Sequence, residues 1–313
     1  MLTTAPIQVV FLLLDLPKLM SPPTPILERE EYIEQAHFFR TFRERLADNI
    51  PSQEILITVV EEVLATTKLP MAIEFLSQDV KINGRMSDGM AHLKHYFTPF
   101  QTFVTAHAEQ EYSQFDQFLA LEILEKEAQF RSRNPSPAGL FFYQFECIAR
   151  NRLGYDEGMA AMAQDEFYDD EWRDWIVKTR LQLGTVELAD LIYFRSEHAL
   201  EERRRETRNP DYQAAGRLFF GIREGRIAKA NRGKDPLYMF AALQRQLGYP
   251  AVPRRKPKSE GFEIHPVLDQ RLQRLEQTLK VLQMEIKGNI ELSEFYEQSH
   301  ESAPSDSTDQ SAS

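Results

Sequence analysis

Seven histidines and one cysteine limit where this sequence could do metal or nucleophilic chemistry. Glu34-x-x-His37 sets a carboxylate and an imidazole one helical turn apart, the spacing that carboxylate-bridged di-iron bundles use. His92-x-x-His95 and His107-x-x-x-Glu111 repeat the one-turn spacing, and Glu61-Glu62 adds carboxylates on another segment. A di-iron bundle needs two Glu-x-x-His pairs and the sequence supplies one. Solvent-facing or core histidines are therefore the stronger reading, and His92, His95, His107 and Glu111 are the residues a helical metal-dependent enzyme would use. Cys147, within Phe145-Glu-Cys-Ile148, has no basic residue arranged near it in sequence to favour a thiolate, so it reads as a buried structural thiol. The sequence has no phosphate loop, dinucleotide glycine fingerprint, CxxC pair or nucleophile elbow, and no cofactor is expected. The acidic run from Asp165 to Glu171 lacks the central glycine of a calcium loop. Acids just before Trp172, Trp175 and Ile176 suit a helix N-terminus, where the backbone dipole attracts negative charge.

Charge is unevenly placed. Between Leu200 and Glu260 there are 15 Lys/Arg and 7 Asp/Glu, a surplus of +8, so the rest of the chain carries −19 of the formal −11. Arg203, Arg204, Arg205 and Arg208 open this block; Arg254, Arg255, Lys256 and Lys258 close it. With Phe219 and Phe220 interleaved, they are the residues a nucleic-acid surface would use, through phosphate contacts that weaken with salt. The plainer reading pairs these cations with the acidic remainder of the chain.

The elements that position these residues read as helices. Thr24-Pro25 suits a helix opening, and Tyr32, Ile33, Ala36, Phe39, Phe42 and Leu46 recur at helical spacing over about six turns. Ser52 is expected to cap a second helix whose apolar pairs recur every four residues at Ile55-Leu56, Val59-Val60 and Val63-Leu64. Gly84, Gly89 and Pro99 divide 70–98 into two short helices. A long helix is expected from Pro99 to about Arg133, burying Phe103, Ala106, Phe115, Phe118, Leu119, Ile123 and Phe130. Breakers at Pro137, Gly154, Gly184, Asn209-Pro210, Gly233 and Pro250 divide the remainder, which shows no strand-like alternation. The fold class is an all-α multi-helix bundle.

One stretch resembles another within the chain. Arg133-Asn-Pro135, Ala138-Gly139, Leu140-Phe-Phe142, Ile148-Ala149 and Gly154-x-Asp156 are matched, in order, by Arg208-Asn-Pro210, Ala215-Gly216, Leu218-Phe-Phe220, Ile227-Ala228 and Gly233-x-Asp235. The pattern reads as a duplicated helical unit, about 115–183 and 188–250. Leu268, Leu272, Leu275, Leu279, Leu282 and Ile286 then make a three-heptad seam, read as a coiled-coil helix over 266–297 that could form a homodimer or dock on its own body. Residues 1–23 read as a flexible extension, 24–253 as the helical body, 254–265 as a basic linker and 298–313 as a disordered tail. Met20 resembles an ordinary start of translation.

The 42% hydrophobic fraction with 21 Phe and 11 Tyr supports a packed core, and a single cysteine rules out an internal disulfide, which suits the cytoplasm. The apolar run 7–16 has no preceding basic residue and is far shorter than the roughly 20 residues a membrane span needs, so no signal and no membrane association are expected. The functional expectation is a non-enzymatic helical scaffold or adaptor that binds other proteins and self-associates through the coil. A nucleic-acid-associated factor and a helical metal enzyme are the alternatives.

Overall fold

The computed structural model describes residues 26–110 and 115–254. Among them are thirteen helices and no strand: α1 (Arg29–Ala47), α2 (Ser52–Val59), α3 (Leu69–Asn83), α4 (Met86–His92), α5 (Pro99–Ala108), α6 (Gln117–Arg131), α7 (Pro137–Asn151), α8 (Tyr155–Ala163), α9 (Asp170–Gln182), α10 (Leu188–Phe194), α11 (Glu197–Thr207), α12 (Ile222–Ala230) and α13 (Pro236–Leu247). The all-α expectation holds. No helix among the described residues is long and apolar enough to cross a membrane. The chain divides into a unit Met1–Arg255, which contains every described residue, and a unit Lys256–Ser313. Thr24-Pro25, Met20, Glu111, Arg255, Lys256, Lys258, the leucine seam and the tail lie outside the described residues.

Helix α1 buries Tyr32, Ala36, Phe38, Phe39 and Phe42, and packs most extensively against α6. The pair is tied at its edge by Arg40 and Arg43, which hold the two oxygens of Glu125 at 2.7 and 2.9 Å. The sequence breakers act where expected. Pro137 opens α7, Gly154 precedes α8, Gly184 separates α9 from α10, and Gly233 and Asp235 lead into α13.

Four local expectations need correction. Residues 26–27 form a bend rather than helix, and α1 begins at Arg29 behind Glu28, which makes no side-chain cap. Ser52 does not cap α2 either: Pro51, in extended geometry, takes that place and its carbonyl accepts from Glu54 and Ile55. The long helix after Pro99 is two helices. Thr98 and Gln101 close a capping box on α5, while the Asp116 carboxylate accepts the Phe118 N–H at 3.0 Å, so an amide that a continuous helix would bond internally caps a new one. That restart leaves Phe118 exposed, with Phe103 and Ala106 only half-buried.

The two similar stretches also differ. Leu140-Phe-Phe142 lies inside α7, whereas Leu218-Phe-Phe220 precedes α12 in non-helical backbone. There the N–H groups of Phe219 and Phe220 both donate to the Arg195 carbonyl, and Phe220 pairs in an isolated bridge with Ser196. Both rings pack on the indoles of α9, with Phe219 4.7 Å from Trp172 and Phe220 5.3 Å from Trp175.

Candidate binding cleft

A large concavity opens where α7 ends, α8 and α13 begin, and the chain turns from α9 to α10. Its volume is about 1190 Å³. One wall forms as α7 runs out: Arg152 takes a left-handed conformation, Leu153 turns inward, and Gly154 starts α8 at φ +86°, which a side chain would resist. Phe145, Ala149 and Leu153 face the cavity from this side. The opposite wall is the turn after α9, where Gly184 at φ +92° lets Thr185 and Val186 fold back to donate to the Gln182 carbonyl. Leu183 and Leu188 present apolar surface there, and Leu237 and Phe240 of α13 close the third side.

Charged groups stand around this apolar floor, and most are already engaged. Glu187 accepts the Gly233 N–H at 2.9 Å, tying the α9–α10 turn to the start of α13. Asp235 caps α13 through the Leu237 N–H at 2.9 Å. Arg180 lies 3.7 Å from Asp156, and His107 Nε2 lies 3.4 Å from Glu157, with the imidazole edge-on to Phe103. Burial beside Phe145 pushes the Tyr155 hydroxyl above its ordinary range, so it stays protonated as a donor. The helices that supply the walls also expose apolar side chains: Leu181, 71% exposed, with Val177 on α9, and Tyr238, 69% exposed, on α13. An apolar floor with a charged rim can hold an amphipathic segment, with polar groups fixing its direction.

The metal candidates are not gathered into a centre: among the described residues no three His, Cys, Asp or Glu side chains are grouped to hold an ion. His92 is exposed, stacked edge-on against Phe75 with Nδ1 3.8 Å from Asp79, and His95 is exposed. Only His107 reaches the cleft. Glu34 is used structurally, accepting the Leu64 N–H at 2.9 Å. Cys147 is fully buried, and burial pushes its thiol well above the usual range.

Much of the basic block is held within the chain. Arg203 and Arg205 lie 3.8 and 3.5 Å from Glu206 and Glu201, while Arg204 donates to the Tyr212 carbonyl and Arg208 ends α11 in left-handed geometry. Arg217 binds Asp169 and Glu171 at 2.6 and 2.8 Å, Lys229 binds Glu202 at 2.7 Å, and Arg232 binds Asp190 at 2.6 Å while lying over the Tyr193 ring. Arg254 is exposed. The acidic run divides. Asp169 caps α9 through the Trp172 N–H, with Asp170 and Glu171 in the first turn, as the helix-end reading requires. Asp165 instead lies fully buried against Arg131, in an ion pair that helix-dipole attraction does not account for.

That buried network has no counterpart among the sequence expectations. Arg131 Nη2 donates to Glu127 Oε1 at 2.9 Å and also binds Asp165. Gln144 donates to the same Glu127 oxygen at 2.8 Å and accepts from the Tyr168 hydroxyl at 2.9 Å. Burial outweighs the attraction of Arg131 and raises the Glu127 carboxyl above its ordinary value. The available signal was Glu127 and Arg131 four apart on a helix face that also carries Ile123, Leu124 and Ala128. A protein-family scan, a search of curated proteins and a search of solved structures each find no match to this chain.

Proposed function

We propose that this chain is a helical scaffold that binds other proteins, taking an apolar helical segment of a partner into the cleft. The observation that carries this reading is the open, apolar-floored cleft, two of whose walls come from α9 and α13, helices that also expose Val177, Leu181 and Tyr238. Pockets for small ligands usually measure about 300–1,000 Å³, and this one exceeds that range while remaining open along one side. A partner side chain fully buried there would gain about 1.5–3 kcal/mol. The lining comes from both 115–183 and 188–250, consistent with a duplicated unit whose copies combine to make one groove. The seam from Leu268 to Ile286 would join two copies of the chain, presenting two grooves together.

The test is affinity capture by the full chain and by a Leu181→Glu/Leu237→Glu variant of unchanged helicity. Both leucines are exposed, so the fold tolerates the change, while Leu237→Glu puts a charge into the cleft lining and Leu181→Glu puts one on the helix that supplies Arg180 to it. Proteins captured by the natural chain should be lost from the variant. An identical set on both, or none on either, would refute the reading.

A further inference from the structure

Helix α3 is apolar on two faces: one is buried in the body, and the other is exposed among the described residues, where Phe75 meets His92 edge-on. Leu69, Ala72, Ile73, Leu76 and Val80 are buried in the body. The opposite face carries Met71 at 74% exposure, Phe75 at 38% and Ile82 at 81%, with Gln78 between the last two. The spacing 71, 75, 78, 82 is that of a coiled-coil seam. Met71 and Ile82 are the two most exposed large hydrophobic residues among those described. Glu74 and Lys81 flank the seam on one edge, seven residues apart, both exposed and without an ion pair inside the chain among the described residues.

We propose that α3 pairs antiparallel with α3 of a second copy about a two-fold axis. The pattern is self-complementary in that orientation only. Antiparallel packing sets Met71 against Ile82 of the second copy, Phe75 against Gln78, and the reciprocal contacts follow by symmetry. It brings Glu74 opposite Lys81 of the second copy, twice over, because antiparallel helices bring like edges together. A parallel pairing instead turns Glu74 and Lys81 toward the other copy's opposite edge, whose Ala72 and Asp79 are buried in its own body, and leaves both charges unpaired. The two most exposed apolar side chains then cover each other, and both unpaired flanking charges find partners.

This surface is separate from the cleft, so it stands or falls independently of the partner-binding reading. The test is sedimentation across a concentration series of the full chain carrying Leu275→Lys and Leu282→Lys, so that the leucine seam cannot hold copies together, with α3 natural, Glu74→Lys, Lys81→Glu or the double exchange. Each single change replaces two attractions by two repulsions and should weaken the dimer at least about tenfold, equivalent to 1.4 kcal/mol; the double exchange should restore it. In a second arm, a Met71→Cys/Ile82→Cys chain should cross-link to covalent dimer under mild oxidation, while each single cysteine variant should not. Dimer unaffected by Glu74→Lys, a loss not rescued by the exchange, or ready cross-linking of Met71→Cys alone would overturn the proposal. So would a chain monomeric throughout the series; captured proteins that then change with Ile82→Glu would assign the face to a different protein.

Discussion

Two carboxylates share one guanidinium in the core, where Glu127, Arg131 and Asp165 are all fully buried. Three full charges would leave a net negative charge out of water, and raising the Glu127 carboxyl is how the site avoids it. The unfolded chain has Glu127 at its ordinary value, so between that value and the raised one the folded state binds the extra proton. Stability should therefore fall as pH rises through this window, and Glu127→Gln should remove the fall. Chemical denaturation across pH checks this: the two midpoints should converge in acid and separate toward neutrality. Arg131→Met leaves Asp165 buried without its partner and should cost about 3–5 kcal/mol. Little of this was legible beforehand. Glu127 and Arg131 look like any exposed pair four apart, and what buries them is Asp165, 34 positions further on. The burial of Cys147 was legible, because apolar neighbours surround it on its own helix.

At the scale of elements, breakers were the readable part. Gly154, Gly184 and Gly233 each adopt positive φ at a helix boundary, a preference that belongs to the residue and needs no distant partner. Caps were less readable, since several residues can compete for one end; Pro51 took the place expected of Ser52, and Asp116 broke a helix that hydrophobic spacing would have continued. Asp169 shows how a cap can do two things. It accepts the Trp172 N–H at the start of α9 and also binds Arg217, fixing the segment that carries Phe219 and Phe220 onto the two indoles. Asp169→Ala should therefore lose about 1–2 kcal/mol, the cost of an N-cap, with the pair to Arg217, in which the carboxylate is half exposed and Glu171 remains as a partner, adding little. Asp169→Asn, which keeps the cap, should lose much less, and thermal unfolding of both variants decides it. Gly158 of α8 sits against Ile148 of α7 and Phe103 of α5: a Cβ there would lie 2.5 Å from Ile148 Cδ1 and 3.1 Å from Phe103 Cζ. Gly158→Ala should cost about 1–3 kcal/mol through this overpacking.

On the scale of the whole molecule, the groove was invisible in the sequence because its walls come from segments around 145–157, 180–188 and 235–240, and nothing in a linear pattern brings them together. The breakers marked where each wall turns, while their convergence depends on the packing of α7, α8 and α13. The two surfaces proposed for self-association, the leucine seam of 268–286 and the outer face of α3, each carry coiled-coil spacing in the sequence. A protein with one self-complementary interface stops at the dimer, whereas two interfaces with non-coincident axes build larger assemblies. If both act, light scattering of the full chain should give a mass that climbs past the dimer with concentration. A chain ending before Pro266 should stop at the dimer, and Glu74→Lys in that shortened chain should leave monomer. Identical masses for full and shortened chains would remove the leucine seam from the account, because an apolar ladder of three heptads that changes nothing when deleted is joining no copies.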